Sequence, residues 1–259
     1  MKLFCAALLL LFASCNNEDK KESVSMPGAY SMLSQHVKGD KVDTSYSLQQ
    51  LKIFTGDFMM YANINSPDSV SSFGVGTYTA AGDSVLETVL FNAYDSTSDD
   101  TARTYTLHIE KTDKGYKQVI REIGSADNKV TLTEEYGSVG TGSSSPLDGA
   151  WKQVKRYWIK GTDTTSYTPV QYKFFWSGHC AWGNVWTDST NKKYTGIGFG
   201  TFTLTGDKLK ESMKASTYWD VRGQDFDITI AMDGKDGFTQ TMNNSDGTKS
   251  VEVYVRMKK

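Results

Sequence analysis

Histidine, cysteine and proline are scarce in this chain, at three, three and four among 259 residues, and that scarcity closes several chemistries at once. His36, His108 and His179 are scattered, and the alternation of the runs around His108 and His179 sets both on an outer face. His179 and Cys180 are adjacent, so on a strand they point to opposite sides and make no metal pair. No HExxH, CxxC, GxSxG or P-loop spacing occurs. The glycines of Gly196-Ile197-Gly198-Phe199-Gly200 imitate a nucleotide loop, yet no helix follows to receive a phosphate. No catalytic residue, metal or cofactor is therefore expected. A formal net charge of −2 and a pI near 6.0, with both signs interspersed, give no electrostatic reason for a nucleic-acid partner. Helical periodicity is lacking too.

Long apolar runs are confined to residues 3–12, which follow Lys2 and are too short to span a bilayer as a permanent helix. The run ends in Phe12-Ala13-Ser14-Cys15, which resembles a bacterial lipoprotein signal, cleaved before a cysteine that then carries lipid. On that resemblance residues 1–14 are the signal peptide, and residues 15–26 are the lipidated Cys15 and a polar tether. An ordinary secretory signal cleaved near Ser14 is the alternative, and it also exports the chain. Asn16 with Glu18 and Asp19 resembles a surface-export tether, so the expected address is the outer membrane, lipid-anchored and facing outward. Cys5 leaves with the signal and Cys15 takes lipid, so Cys180 has no partner for a disulfide and is expected as a small buried hydrophobe.

Against these absences stand 14 tyrosines, 12 phenylalanines and 6 tryptophans, which suit pleated, half-buried surfaces. The stretch YTGIGFGTFTLTGDKLKES at residues 194–212 is echoed by FGVGTYTAAGDSVLET at residues 73–88. Each reads as a hairpin whose paired glycines mark a bend or bulge and whose Gly-Asp makes the corner. Other echoes keep nearly the same spacing: Gly28-Ala29-Tyr30 with Gly149-Ala150-Trp151, and Lys-Gly-Tyr-Lys-Gln at 114–118 with Lys-Asp-Gly-Phe-Thr-Gln at 235–240. The chain is thus read as a tandem duplication, with domains at 27–137 and 147–259 and a Gly/Ser linker of low stiffness at 138–146. Eight strands are expected in the second copy, near 151–159, 169–176, 179–186, 193–204, 208–216, 224–232, 237–242 and 249–257. The fold class is all-β. Eight short antiparallel strands close most simply into an up-and-down barrel, which removes exposed edges; a two-sheet sandwich is the alternative.

Gly149-Ala150-Trp151 at the first strand is similar to the Gly-x-Trp of lipocalins, and each whole copy resembles the lipocalin-like (calycin) domains of Bacteroidota-type lipoproteins. The resemblance implies two tandem eight-stranded antiparallel barrels and a ligand held in a lumen. The helix that follows the barrel in true lipocalins has no counterpart before Lys259. The family's arginine that packs across the tryptophan corresponds by position to Arg256, which strict alternation sets on the outer face with Glu252 and Tyr254.

Alternation assigns the lumen. In the second copy the candidate ligand-binding residues are Tyr172, Phe174, Trp176, Trp182, Trp186, Glu211, Met213, Phe226, Phe238 and Gln240, with Val251, Val253 and Val255 also inward. The first copy offers Leu51, Ile53, Phe58, Met60, Ile64, Val85, Glu87, Val89, Tyr105, Leu107, Ile109, Tyr116 and Gln118. All six tryptophans lie in the second copy, which makes it the better candidate for a pocket. A barrel of this size is either filled by its side chains or holds one small ligand. Inward Glu87 and Glu211 must be paired, hydrogen-bonded or neutral, and three roles stay open for them: a satisfied core carboxylate, a ligand anchor, or a general acid or base. The function expected is a non-enzymatic envelope lipoprotein that binds a small, partly apolar ligand. Its alternatives are a structural or interaction subunit docking on another envelope protein, and an enzyme using Glu211.

Overall fold

The alternating runs fold as strands throughout the computed structural model, which describes residues 24–64, 71–94, 97–125, 127–167 and 170–259 and has no helix among them. The signal, Cys15 and most of the tether lie outside the described residues. The first unit contains β1 (Gly28–Gly39), β2 (Val42–Tyr46), β3 (Gln49–Phe54), β4 (Phe58–Ile64), β5 (Ser72–Ala81), β6 (Ser84–Tyr94), β7 (Thr97–Asp99), β8 (Arg103–Thr112), β9 (Gly115–Ser125) and β10 (Asn128–Ser138). The second contains β11 (Gly149–Lys160), β12 (Asp163–Tyr167), β13 (Val170–Trp176), β14 (His179–Thr187), β15 (Lys193–Thr205), β16 (Lys208–Ser216), β17 (Asp225–Asp233), β18 (Gly237–Asn243) and β19 (Lys249–Arg256). All pairings are antiparallel between neighbours in order, and β10 pairs back on β1 as β19 does on β11, so each unit is a closed barrel of eight strands. The short β2 and β12 pair with the far halves of β1 and β11, and β7 pairs with β6. All five residues of β12 are exposed, so it has no buried side to generate the alternation by which the other strands are legible.

The duplicated glycine pairs have a steric cause. The register shifts at Val75/Gly76 and at Phe199/Gly200, the bulges expected from the repeat. A Cβ at Gly200 would meet the Ser212 carbonyl oxygen, and one at Gly198 the Trp182 ring; Gly76 and Gly74 stand the same way against Thr88 and the Tyr61 ring. The bulge bends the strand while the bare backbone beside it lets a large ring lie flat on the barrel wall.

Each barrel is plugged at one end. Met26 and Leu147, at equivalent places before the first strands, are buried in the end cores. The Tyr30 hydroxyl donates to Met26 O at 3.2 Å, and Trp151 Nε1 donates to Leu147 O at 2.7 Å. Around them pack Phe54, Met59, Tyr78 and Tyr116 in the first barrel, and Phe175, Cys180, Phe202 and Phe238 in the second. Cys180 is fully buried, and burial, followed by the Glu211 charge, raises its thiol well above the ordinary range. Arg256 does not lie away from Trp151: its guanidinium sits 4.0 Å from the ring centroid and donates from Nη1 to Asp148 O. Glu252 and Tyr254 point inward, and the strand reads inverted because its valines are the half-exposed set.

A third core joins the barrels. Leu51, Ile53, Phe58, Met60, Ala62, Ile64, Phe73 and Val75 of the first interleave with Tyr172, Phe174, Ala181, Ile197 and Phe199 of the second, bringing β3, β4 and β5 against β13, β14 and β15. The Gly/Ser stretch between the units is hydrogen-bonded on both sides: Val139 N to Ala29 O at 2.9 Å, Thr141 N to Ser177 O at 3.0 Å and Gly142 N to Ser177 Oγ at 2.7 Å. Both plugged ends lie at this connection. At the other end Lys193 Nζ donates to Ser98 Oγ at 3.3 Å, so the two open mouths share one side of the molecule.

Candidate ligand-binding lumens

Halfway up each barrel the apolar plug gives way to a layer of polar side chains, and the layer is the same in both copies. On β13, Gln171, Lys173 and Phe175 face inward, as Gln50, Lys52 and Phe54 do on β3. Lys173 Nζ lies 2.6 Å from Glu211 Oε1 and donates to Gln240 Oε1 at 3.1 Å. Gln240 Nε2 donates to Glu252 Oε2 at 2.7 Å, as does the Tyr254 hydroxyl, also at 2.7 Å, and Gln171 Nε2 closes on the Tyr254 oxygen at 2.5 Å. In the first barrel Lys52 stands 2.6 Å from Glu87 and 3.3 Å from Gln118, Gln118 and Tyr136 both donate to Glu134, and Gln50 donates to Tyr136. Six residues, from six different strand positions, are thus kept in one arrangement twice.

Physical necessity explains much of the layer. A charge removed from water must be paired and its remaining lone pairs bonded. Each lysine meets a carboxylate, and each second carboxylate collects an amide and a phenol. Burial raises the Tyr136 and Tyr254 phenols well above their ordinary range, and the adjacent carboxylates raise them further, so both remain donors. Burial also raises Glu87, the Lys52 charge opposes it, and Glu134 adds to it.

Above the layer both barrels are hollow. The first encloses about 320 Å³, walled by Tyr61, Asn63, Val89, Asn92, Arg103, Tyr105, Ile120, Ile123 and Leu132. The second encloses about 190 Å³, walled by Arg156, Trp182, Asn184, Met213, Tyr218, Val221, Phe226 and Met242. The smaller volume has a visible cause. The turn after β16 folds over the mouth, with Tyr218 stacked on Trp182 at 5.8 Å between centroids and its hydroxyl bonded to Asn184 and Trp186. The larger lumen is therefore in the copy without tryptophan.

Of the residues expected in the second lumen, Trp182, Glu211, Met213, Phe226 and Gln240 line it. Tyr172, Phe174 and Trp176 face the other barrel instead, and so do Leu51, Ile53, Phe58, Met60 and Ile64. The reason is that β3, β4 and β13 are buried on both sides, so the more apolar set covers the neighbouring barrel while the lumen takes the polar one. Phe238 belongs to the end plug. Trp186 is 42% exposed, stacked on Tyr194 at 4.4 Å in a groove outside the barrel with Tyr167 and Lys193. Val251, Val253 and Val255 turn outward, leaving Ser250, Glu252 and Tyr254 inside. Lys52, Lys173, Glu134, Glu252, Tyr136 and Tyr254 escaped the alternation argument, although the copies repeat them as Gln-x-Lys-x-Phe (50–54, 171–175) and Glu-x-Tyr (134–136, 252–254). Among the described residues no group of three or more metal-ligating side chains converges.

No protein-family model matches the chain, and no curated protein matches it in sequence. Among solved structures, a double mutant of transferrin binding protein B, a vaccine antigen from Haemophilus parasuis Hp5, aligns over 92% of this chain and 77% of its own at 7% identity, with a TM-score of 0.25. At that score the likeness carries no argument about this chain.

Proposed function

We propose that this chain is a non-enzymatic, lipid-anchored envelope protein of the lipocalin-like kind, whose barrels bind small, partly apolar molecules. The observation that supports it is the hollow half of each barrel above a fixed polar floor: apolar and aromatic walls with a few placed polar groups are the usual make-up of a small-molecule site. The first lumen, at about 320 Å³, reaches the lower end of ordinary ligand pockets, roughly 300 Å³ upward, and the second, at about 190 Å³, suits a smaller molecule. Trp151 under Arg256 supports the lipocalin-like reading. Val24 N donates to Gly82 O at the plugged end, so a lipid on Cys15 would tether the molecule by that end and leave the mouths facing away from the membrane. Native mass spectrometry of the protein purified from its own host tests the binding role: a retained small molecule supports it, while an unliganded chain that also shows no lumen methyl shifts against a broad panel of amphiphiles rejects it. Cys15→Ser releasing the protein from membranes tests the anchor, and protease shaving of intact cells tests the outward-facing address. A docking role on another envelope protein is the second reading. It is favoured by the exposed aromatics Tyr46, Tyr94, Trp158, Tyr167, Trp186 and Trp219, which gather toward the mouth side.

A further inference from the structure

The two lumens share six polar residues and differ in where a second cation stands: beside the floor in one, at the mouth in the other. In the second, Lys173 and Arg156 face Glu211 and Glu252, with Arg156 Nε 3.3 Å from Glu252 Oε1: two cations for two carboxylates. At the place of Arg156 the first barrel has Gln35, since Gln35 pairs across the strands with Glu134 as Arg156 does with Glu252. Gln35 Nε2 donates to Glu134 Oε1 at 2.7 Å, which satisfies the oxygen but brings no charge. Lys52 alone then faces Glu87 and Glu134. The other cation on the wall, Arg103, is at the mouth, half-exposed, and committed to Asp99 at 2.6 Å.

One unsatisfied group leans the same way. Asn63 Oδ1 lines the first lumen as a buried acceptor without a hydrogen bond, while Glu87 Oε1 and its equivalent Glu211 Oε1 each meet only their lysine. The equivalent Asn184 Oδ1 in the second lumen accepts from the Tyr218 hydroxyl at 3.3 Å. At its floor, away from Arg103, the first cavity thus has one cation for two carboxylates, and at Asn63 it lacks the donor that Tyr218 gives Asn184; its walls present Tyr61, Tyr105 and Tyr136. Aromatic faces beside carboxylates are the environment in which a desolvated cation is held best.

Resting on the binding role proposed above, we infer that the first lumen takes a small organic cation, a protonated amine on an apolar or aromatic body, and that the second lumen does not. The ammonium would sit between Glu134 and Asn63, supplying the missing charge and donors, with its body against Val89, Ile120 and Leu132.

The test is a methyl NMR titration of the full chain with three probes of one shape: phenethylamine, 2-phenylethanol and 3-phenylpropionate. Phenethylamine is expected to move the methyls of Val89, Ile120 and Leu132 saturably, with the alcohol and the acid at least about tenfold weaker, as a lost charge-assisted contact implies. Gln35→Arg, which installs the second barrel's cation, should abolish amine binding with an unchanged circular dichroism melt, and Glu134→Gln gives an independent loss of about tenfold. Tryptophan emission, which comes only from the second unit, should stay unchanged by the amine. If the alcohol or the acid binds the first lumen as tightly as the amine, or Gln35→Arg leaves amine binding intact, the charge inference is wrong while the binding role stands. If no probe moves any lumen methyl, the amine inference is wrong, and the broad panel with native mass spectrometry decides the binding role.

Discussion

The two barrels are the same below and different above. Floor and bulge agree residue for residue, Lys52 with Lys173, Glu87 with Glu211 and Gly76 with Gly200, and the plugs agree in being apolar at matching places, as Met26 with Leu147. Walls and mouths do not. Tyr61 stands for Trp182, Val89 for Met213, Tyr105 for Phe226 and Gln35 for Arg156, and among the described residues only the second mouth is covered by a stacked tyrosine. The parts kept in both copies are those whose loss leaves a buried charge or an open end. The parts that vary touch the empty space, where a change alters what fits rather than whether the chain folds.

That division makes its strongest prediction on the floor. Lys173 and Glu211 are 3% and 5% exposed, so removing one leaves the other charged and unpaired in the interior. Lys173→Met should cost the second barrel about 3–5 kcal/mol, and Lys173→Met with Glu211→Leu should recover most of it, because the uncompensated charge rather than the missing contact sets the penalty. Denaturant unfolding followed by tryptophan emission reports on this barrel alone, since all six tryptophans lie in it. A single variant as stable as the wild type would mean that the layer is not what closes the fold.

The comparison next turns on the faces where the copies meet. Phe174 is fully buried between the barrels, not within one, and faces a surface that includes Ile53, Met60 and Phe73. Phe174→Ala should cost about 3 kcal/mol or more, at the lower end for truncating a buried phenylalanine. It should also split one melting transition into two as the barrels uncouple. The halves 26–140 and 146–259, expressed separately, should associate through these faces when mixed. Two halves that stay apart, together with a Phe174→Ala chain that still melts in one step, would show that the shared core contributes little.

The same faces explain what could be read from the sequence. Strands and barrel closure were legible because most strands have one buried side and Gly-Asp or Asn-Ser-Asp-Gly corners. Glu87, Glu211, Gln118 and Gln240 were legible as inward because they interrupt apolar alternation on strands with a wet outer side. Lys52 and Lys173 were not: on β3 and β13 the apolar set faces the other barrel, and alternation alone assigns the more apolar side to the lumen. On β19 the rule inverts for a different reason, since Ser250, Glu252 and Tyr254 satisfy one another inside while Val251, Val253 and Val255 lie half in water. A period of two says that two faces differ, but not which neighbour each one meets. Comparing the copies with each other would have found the floor, as Gln-x-Lys-x-Phe recurs with no apolar reason to do so.

A smaller effect concerns pH and the first floor. Glu87 is raised above its ordinary value by burial, then lowered in part by Lys52 and raised again by Glu134. A carboxyl raised on folding binds its proton more tightly in the folded than in the unfolded chain. Its stabilisation is therefore whole below the ordinary carboxyl range and is lost as pH rises through the folded value. Melts at about pH 4.5 and about pH 7 should show the wild type losing stability relative to Glu87→Gln over that interval, whatever the absolute cost of the substitution. An identical pH slope in the two proteins would mean that Glu87 is as well paired as in water.

The mildest change tests whether the walls are free to vary. Tyr61 and Trp182 occupy one site in two barrels, each lying on a glycine, Gly74 or Gly198, whose missing side chain leaves room for the ring. Tyr61 also faces the hollow of the first barrel, so a larger ring has space to extend without displacing the floor. Tyr61→Trp should therefore shift stability by less than about 1.5 kcal/mol, the range of well-tolerated changes in a core, while narrowing the first lumen toward the volume of the second. It also places an indole in the barrel that has none, so a molecule entering that lumen would alter its emission. A Tyr61→Trp chain that fails to fold, or loses as much stability as Lys173→Met, would show that the wall is as constrained as the floor, and the division between the kept and the varied halves of the two barrels would fail.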